Sequence, residues 1–211
     1  MSHVLKRLAL VLLLFVSVYA PAFALVAWLH PSVKLTIPLI IAVSVCMAAI
    51  CVALLANQPK GIREFGLARS PFSYVIAATI AGALIGVVFA YVAALFPAHA
   101  PLDLSTLRPW MIVVYFVIAA PIQEELIFRG LLQGVIARGV SSQTFSAAHF
   151  PVFFTATLFG IIHLDSGIVV ATEAVLLGLI AGELRRMSAS LIPAILFHAL
   201  LNAASALWPL A

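Results

Sequence analysis

Gln123-Glu124-Glu125-Leu126-Ile127-Phe128-Arg129 sets two carboxylates and a guanidinium inside a run that is otherwise apolar from Trp110 to about Ile136. Ionisable groups at bilayer depth are costly and rare. Where they occur they face a bundle interior or a water-filled cavity, so each marks a functional site by default. On a helix, Glu125 and Arg129 are i, i+4 neighbours and can pair. Glu124 lies one residue round and points elsewhere. One carboxylate thus gains a local counter-ion, and the other is left for chemistry.

Around this stretch, the 211-residue chain is 65% hydrophobic and 9% charged. A soluble domain is about half apolar and about a quarter charged. The predicted fold class is all-α: a polytopic transmembrane bundle of about seven helices, forming one integral membrane domain over residues 1–211. Apolar segments run over about 8–29, 35–56, 73–96, 110–137, 146–164, 167–184 and 189–208, and most reach the roughly 20 residues that cross a bilayer core. They are punctuated by His30-Pro31, by a polar loop from Asn57 to Ser70 with Pro59, Gly61 and Gly66, by Pro97 and Pro101, and by Arg138-Gly139 with Ser141-Ser142-Gln143. Lys6 and Arg7 before the first run, with Ala22-Phe23-Ala24 after it, imitate a secretion signal. The run continues to Leu29, long enough to span, so a retained first helix is the reading.

The formal charge of +4 does not mark a nucleic-acid surface, because the basic residues sit in short loops. Their placement instead predicts a multi-pass cell-membrane protein with a cytoplasmic N-terminus. Lys6, Arg7, Lys60, Arg63, Arg69, Arg138, Arg185 and Arg186 then fall inside, Lys34 and Arg108 outside, and the C-terminus is external near Trp208. Cys46 and Cys51 lie on different faces of one apolar run with no metal spacing, which predicts two buried small apolar side chains. Gly82 with Gly86, Gly130 with Gly134, and Gly178 with Gly182 are small-residue pairs that predict close helix packing.

Further polar groups fall in later segments. Pro121 precedes the acidic pair and either widens a cavity beside Glu124 or merely bends the helix. Phe159 and His163 share a helix face, as do His198 and Asn202. Singly, each cluster reads equally well as an interhelical bond. Together, Glu124, Glu125, Arg129, His163, His198 and Asn202 form a set of acids, bases and donors whose variety structural bonding does not require. Two chemistries suit it. In one, Glu124 is general base on a water that His163 helps to hold, while His198 and Asn202 donate to a carbonyl oxyanion. In the other, Glu and the two His bind a catalytic zinc with an open position, although no His-Glu-x-x-His run is present.

The order Glu124-Glu125-x-x-x-Arg129, Phe159-x-x-x-His163, His198-x-x-x-Asn202 resembles the three signature motifs of the CPBP family, the CAAX proteases and bacteriocin-processing enzymes related to the type II CAAX prenyl protease. The resemblance covers about residues 110–206. It implies a catalytic core over 109–208, preceded by membrane helices over 1–108, and an intramembrane endopeptidase acting on a membrane-associated peptide or protein. It further implies that Glu124 activates water with His163, that His198 and Asn202 form an oxyanion hole, and that Glu125 and Arg129 orient the site. The family has been described as metalloproteases. A metal-free glutamate mechanism is the reading preferred here, with zinc the alternative.

Some positions stay open. His163 falls near the external end of its segment while Glu124 and His198 are mid-span, so convergence requires that segment to end inside the protein or its boundary to move. Asp165 is a partner of His163 or a loop residue. Glu173 pairs with Arg129, lines the cavity or reaches the interface. Glu183 with Arg185 and Arg186 reads as a solvated cluster, and His149 as interfacial. The rival functions are a small proton-coupled transporter, which intramembrane carboxylates and histidines also build, and a non-catalytic immunity or regulatory protein.

Overall fold

The computed structural model describes residues 3–29, 37–57, 62–96, 108–140 and 144–207. Among these, seven helices follow the seven apolar segments: α1 (His3–Leu29), α2 (Ile37–Ala56), α3 (Phe72–Leu95), α4 (Pro109–Ala137), α5 (Phe145–Ile161), α6 (Ile168–Ser188) and α7 (Ile192–Leu207). No strand occurs among the described residues. His30-Pro31, Lys34, Pro59-Lys60-Gly61, Pro97, Pro101, Ser141-Ser142-Gln143 and Trp208 lie outside them.

Among the described residues three stretches are long and apolar enough to cross a membrane: Leu39–Ala56, Phe72–Leu95 and Pro109–Ala137. Leu8–Ala22, Phe145–Ile161 and Ile192–Ser205 are shorter apolar helices. α6 falls in neither group, and it carries Glu173, Glu183, Arg185 and Arg186. The surface is the reverse of a soluble protein's. Leu13, Leu84 and Ile168 are more than 60% exposed, while Glu125 and Arg129 are wholly buried. This distribution suits a hydrocarbon solvent, in which polar side chains must find partners inside the bundle.

α4 is the central helix. In its window 44% of residues are buried, against 22% along α2 and α3. α2 lies against its middle, α1 against its C-terminal half, and α7 against its N-terminal half. α4 is wound partly as π-helix, over Val113–Ala119 and Leu126–Leu132. Pro121 accounts for part of this. In the first π stretch the Ala120 N–H donates to the Tyr115 carbonyl five residues back, so the next donor in that register would be residue 121, to Phe116. Proline has no N–H, and the Phe116 carbonyl needs another partner.

Within lipid no hydrophobic force drives one helix onto another, so close backbone approach does the work. α3 lies along α7, where a Cβ on Gly82 would stand 2.7 Å from the Phe197 carbonyl oxygen and one on Gly86 would stand 2.9 Å from the Leu201 Cα. α5 lies on α6, with Gly178 against the Ala156 backbone and Gly182 against Val152. Gly134 faces the Phe65 ring, while Gly130 leaves only ordinary contact distance to Leu191 and Leu55. The glycine pairs are packing surfaces, as their spacing predicts. Gly82→Val should therefore lower stability by about 1–3 kcal/mol, because the clash is with backbone. Thermal unfolding in detergent checks it, with the exposed Ala77→Val as the control expected to leave the midpoint unchanged.

Three expectations need correction. Cys51 is buried, with its Sγ 3.3 Å from the Leu126 carbonyl, but Cys46 is exposed. Five residues apart on one helix, the two cannot both face the bundle. α5 ends at Ile161, short of the predicted boundary at 164, and leaves His163 in the turn beyond it. Arg185 is not part of a solvated cluster. Its Nη2 donates to the Glu64 carbonyl at 3.0 Å, and its guanidinium fills the space beside Gly66, whose φ of +94° admits no Cβ without strain. Glu183 does form the expected partly exposed cluster, with Arg186 at 2.7 Å and His149 at 3.5 Å.

Candidate active site

The buried ion pair comes first. Arg129 Nη1 donates to Glu125 Oε1 at 3.0 Å, one α-helical turn apart and with neither side chain exposed. The same oxygen accepts from His198 Nδ1 at 2.8 Å, across from α7. A carboxylate there fixes the Nδ1–H tautomer and turns Nε2 the other way. Nε2 stands 3.7 Å from Glu124 Oε2. Glu124 is the more accessible carboxylate, 18% exposed against 0% for Glu125. Adjacent acids on α4 therefore have different environments, as the sequence implies: Glu125 is locked between Arg129 and His198, and Glu124 keeps some exposure beside His198 Nε2.

Phe159 ties α5 to this cluster. Its ring lies 4.7 Å under the Arg129 guanidinium, 4.8 Å from the Phe128 ring, 4.6 Å from the His163 ring and 5.9 Å from the His198 ring. Arg129 thus gains a cation–π contact in place of water on one face. The guanidinium also needs space: a Cβ at Gly178 would stand 3.2 Å from Arg129 Nη2.

His163 sits just past the end of α5. Its Nδ1 donates to the Phe159 carbonyl at 2.7 Å, so in the neutral ring Nε2 carries the lone pair. Gly167, at φ +106° and ψ 161°, ends the short turn Leu164–Ser166 and starts α6 in a region open essentially to glycine alone. Asp165 is exposed in that turn and accepts from Ser166 at 3.4 Å. It is a loop residue.

Asn202 Nδ2 donates to the Phe116 carbonyl at 2.9 Å. This is the carbonyl that Pro121 leaves without a donor in the π register, so Pro121 and Asn202 are two halves of one arrangement. Asn202→Leu should cost about 1–3 kcal/mol by stranding that carbonyl. Pro121→Ala restores a backbone donor, so the double variant should lose less than the sum of the single losses. A thermal-unfolding double-mutant cycle reads the difference directly, and strict additivity would count against the coupling.

The structure therefore joins Glu124, Glu125, Arg129 and His198 directly. It brings His163 in through Phe159 and ties Asn202 to α4 two turns before Glu124. Among the described residues no hydrogen bond or ion pair links His163 to Glu124. Glu173 is not part of the cluster: it does not pair with Arg129 but lines a crevice between α3 and α6 with Phe89, Phe96 and Thr172, with Oε1 unpartnered. Two residues near Glu124 were missed. Tyr19 of α1 and Tyr115 of α4 both lie within electrostatic range of its carboxylate. Tyr19 is buried against Phe15 and Phe128, with ring centroids 4.6 and 6.3 Å away. The available signal was a phenol in the middle of an otherwise apolar first helix.

Among the described residues no three His, Cys, Asp or Glu side chains gather at metal-holding spacing. His198 Nδ1 and His163 Nδ1 each donate to a protein oxygen, which leaves both Nε2 atoms open.

No curated protein and no solved structure matched the chain. A family model did, that of the Rce1-like type II CAAX prenyl endopeptidases, over residues 106–204. The match takes in α4 through most of α7 and every residue of the cluster described above except Tyr19. Over residues 106–204 this chain is similar to the Rce1-like type II CAAX prenyl endopeptidases.

Proposed function

We propose that the protein is a glutamate-dependent intramembrane endopeptidase that hydrolyses a peptide bond in a membrane-associated peptide or protein. The family match supports endopeptidase activity in a membrane in general terms. The finer reading is carried by one observation: Glu125 Oε1 holds both Arg129 and His198, and so aims His198 Nε2 at Glu124.

Glu124 takes a proton from water as that water attacks the scissile carbonyl. His163, whose Nε2 is free to accept, helps to hold the water. His198 donates from Nε2 to the developing oxyanion when it is imidazolium, since Nδ1–H is already committed to Glu125. Asn202 keeps one amide N–H beyond the bond to Phe116 and is the second oxyanion donor. The proton held by Glu124 passes to the leaving amine. The family name makes a prenylated C-terminal peptide the first substrate class to try. The cell membrane is the proposed location, with the N-terminus cytoplasmic.

The test is cleavage of membrane-tethered peptides by purified protein in liposomes, with products identified by mass. No cleavage of any prenylated or unmodified tethered peptide by correctly folded protein would overturn the reading.

A further inference from the structure

Away from the catalytic cluster, the segment joining α2 to α3 is fastened to the corner between α6 and α7. Arg185 Nη2 takes the Glu64 carbonyl at 3.0 Å, the Leu191 N–H takes the Gly66 carbonyl at 2.8 Å, and Ser190 Oγ takes the Ala68 carbonyl at 2.6 Å. Three alternate carbonyls are thus turned into the protein. A cavity of about 710 Å³ opens beside them, lined by Arg63, Arg69, Leu67, Leu191, Ile192 and Ile195.

Three features of this cavity belong together. Its charged lining is two guanidiniums, and no carboxylate contributes to it. Both arginines are exposed, and neither makes a side-chain hydrogen bond or ion pair among the described residues. The nearby acid Glu64 is instead directed to Arg138, at 3.6 Å. The remaining wall is branched aliphatic. The depth fits as well: α6 ends at Ser188, α7 begins at Ile192 and α3 begins at Phe72, so three helix ends meet at this level. A membrane-embedded bundle places its helix ends at headgroup height, and basic pockets between such helices hold anionic headgroups.

We propose that this cavity is a binding site for an anionic phospholipid, with Arg63 and Arg69 on the phosphate and the first acyl carbons along Leu67, Ile192 and Ile195. Arginine suits phosphate through its planar fork of donors. The volume exceeds what a bare phosphate fills, and the aliphatic wall gives the phosphate ion itself nothing to bind.

The experiment uses the full chain in detergent and native mass spectrometry, titrating phosphatidylglycerol, phosphatidylcholine and inorganic phosphate in separate arms. Retained phosphatidylglycerol, at least tenfold tighter than phosphatidylcholine and not displaced by millimolar phosphate, is the expected result. R63Q/R69Q should lose that preference, and R63K/R69K, which keeps the charge, should retain most of it. The lysine pair also guards against misfolding as the cause of loss. Equal retention of the two lipids, displacement by free phosphate, or an unchanged preference in a folded R63Q/R69Q variant would each overturn the proposal. Peptidase turnover by that glutamine variant in lipid-free detergent should match wild type, which separates this site from the catalytic reading.

Discussion

Glu124→Gln should lower kcat for hydrolysis of a membrane-tethered peptide by about 10²–10⁴-fold, the usual range for loss of a positioned general base. The substitution keeps shape and hydrogen-bonding capacity, and Glu124 lies at the accessible edge of the cluster rather than in its locked centre. Stability should therefore barely change. KM should also stay within a few-fold, since the lost interaction belongs to the transition state. Steady-state kinetics in liposomes, with helical content followed by circular dichroism, measures all three quantities. Wild-type kcat in a folded Glu124→Gln protein would remove Glu124 from the mechanism. Metal dependence is read in the same assay: turnover that survives a strong chelator, in protein shown by elemental analysis to hold no stoichiometric zinc, is the expected outcome.

Glu125 should behave in the opposite way. Its Oε1 is the acceptor for both Arg129 and His198, and neither it nor Arg129 has any exposure. Glu125→Ala leaves a guanidinium buried without its counter-charge, a change that typically costs 3–5 kcal/mol. The phenyl face of Phe159, 4.7 Å from Arg129 Cζ, offsets only part of that loss. A large fall in the unfolding midpoint is expected, together with loss of activity. Replacing both partners, as Glu125→Leu with Arg129→Met, removes the stranded charge and should recover most of the stability. Activity should not return, because His198 has lost the acceptor that sets its tautomer and aim. Recovery of turnover in the double variant would mean that the pair only supports the fold. Failure to recover stability would mean that the guanidinium contributes more through Phe159 and Phe128 than through its carboxylate.

Local signals carried much of the architecture. Segment boundaries from hydropathy and from Pro, Gly and charged punctuation fall within a few residues of the helices, because helix length and apolar content are properties of short windows. The i, i+4 pairing of Glu125 with Arg129 follows from helix geometry alone and is present, whereas Phe159 and His163 touch with ring centroids 4.6 Å apart although His163 lies in the turn beyond α5. The failures concern which way particular side chains face. Cys46 and Cys51 read alike in sequence, yet only Cys51 turns inward. Arg185 and Arg186 are adjacent, yet one is drawn under the α2–α3 connection and the other pairs with Glu183 at the surface.

By itself the sequence determined an all-helical membrane chain, the positions of its helices, and a short roster of groups too polar to sit idle in lipid, since cost at bilayer depth is written in composition. Only the tertiary structure decided that Glu125 rather than Glu124 anchors His198, that Asn202 answers the carbonyl left open by Pro121, and that Tyr19 of the first helix approaches the site. Those outcomes rest on contacts between residues dozens of positions apart. Such contacts are set by how glycine-lined helices settle against one another, and no local pattern of residue types encodes them.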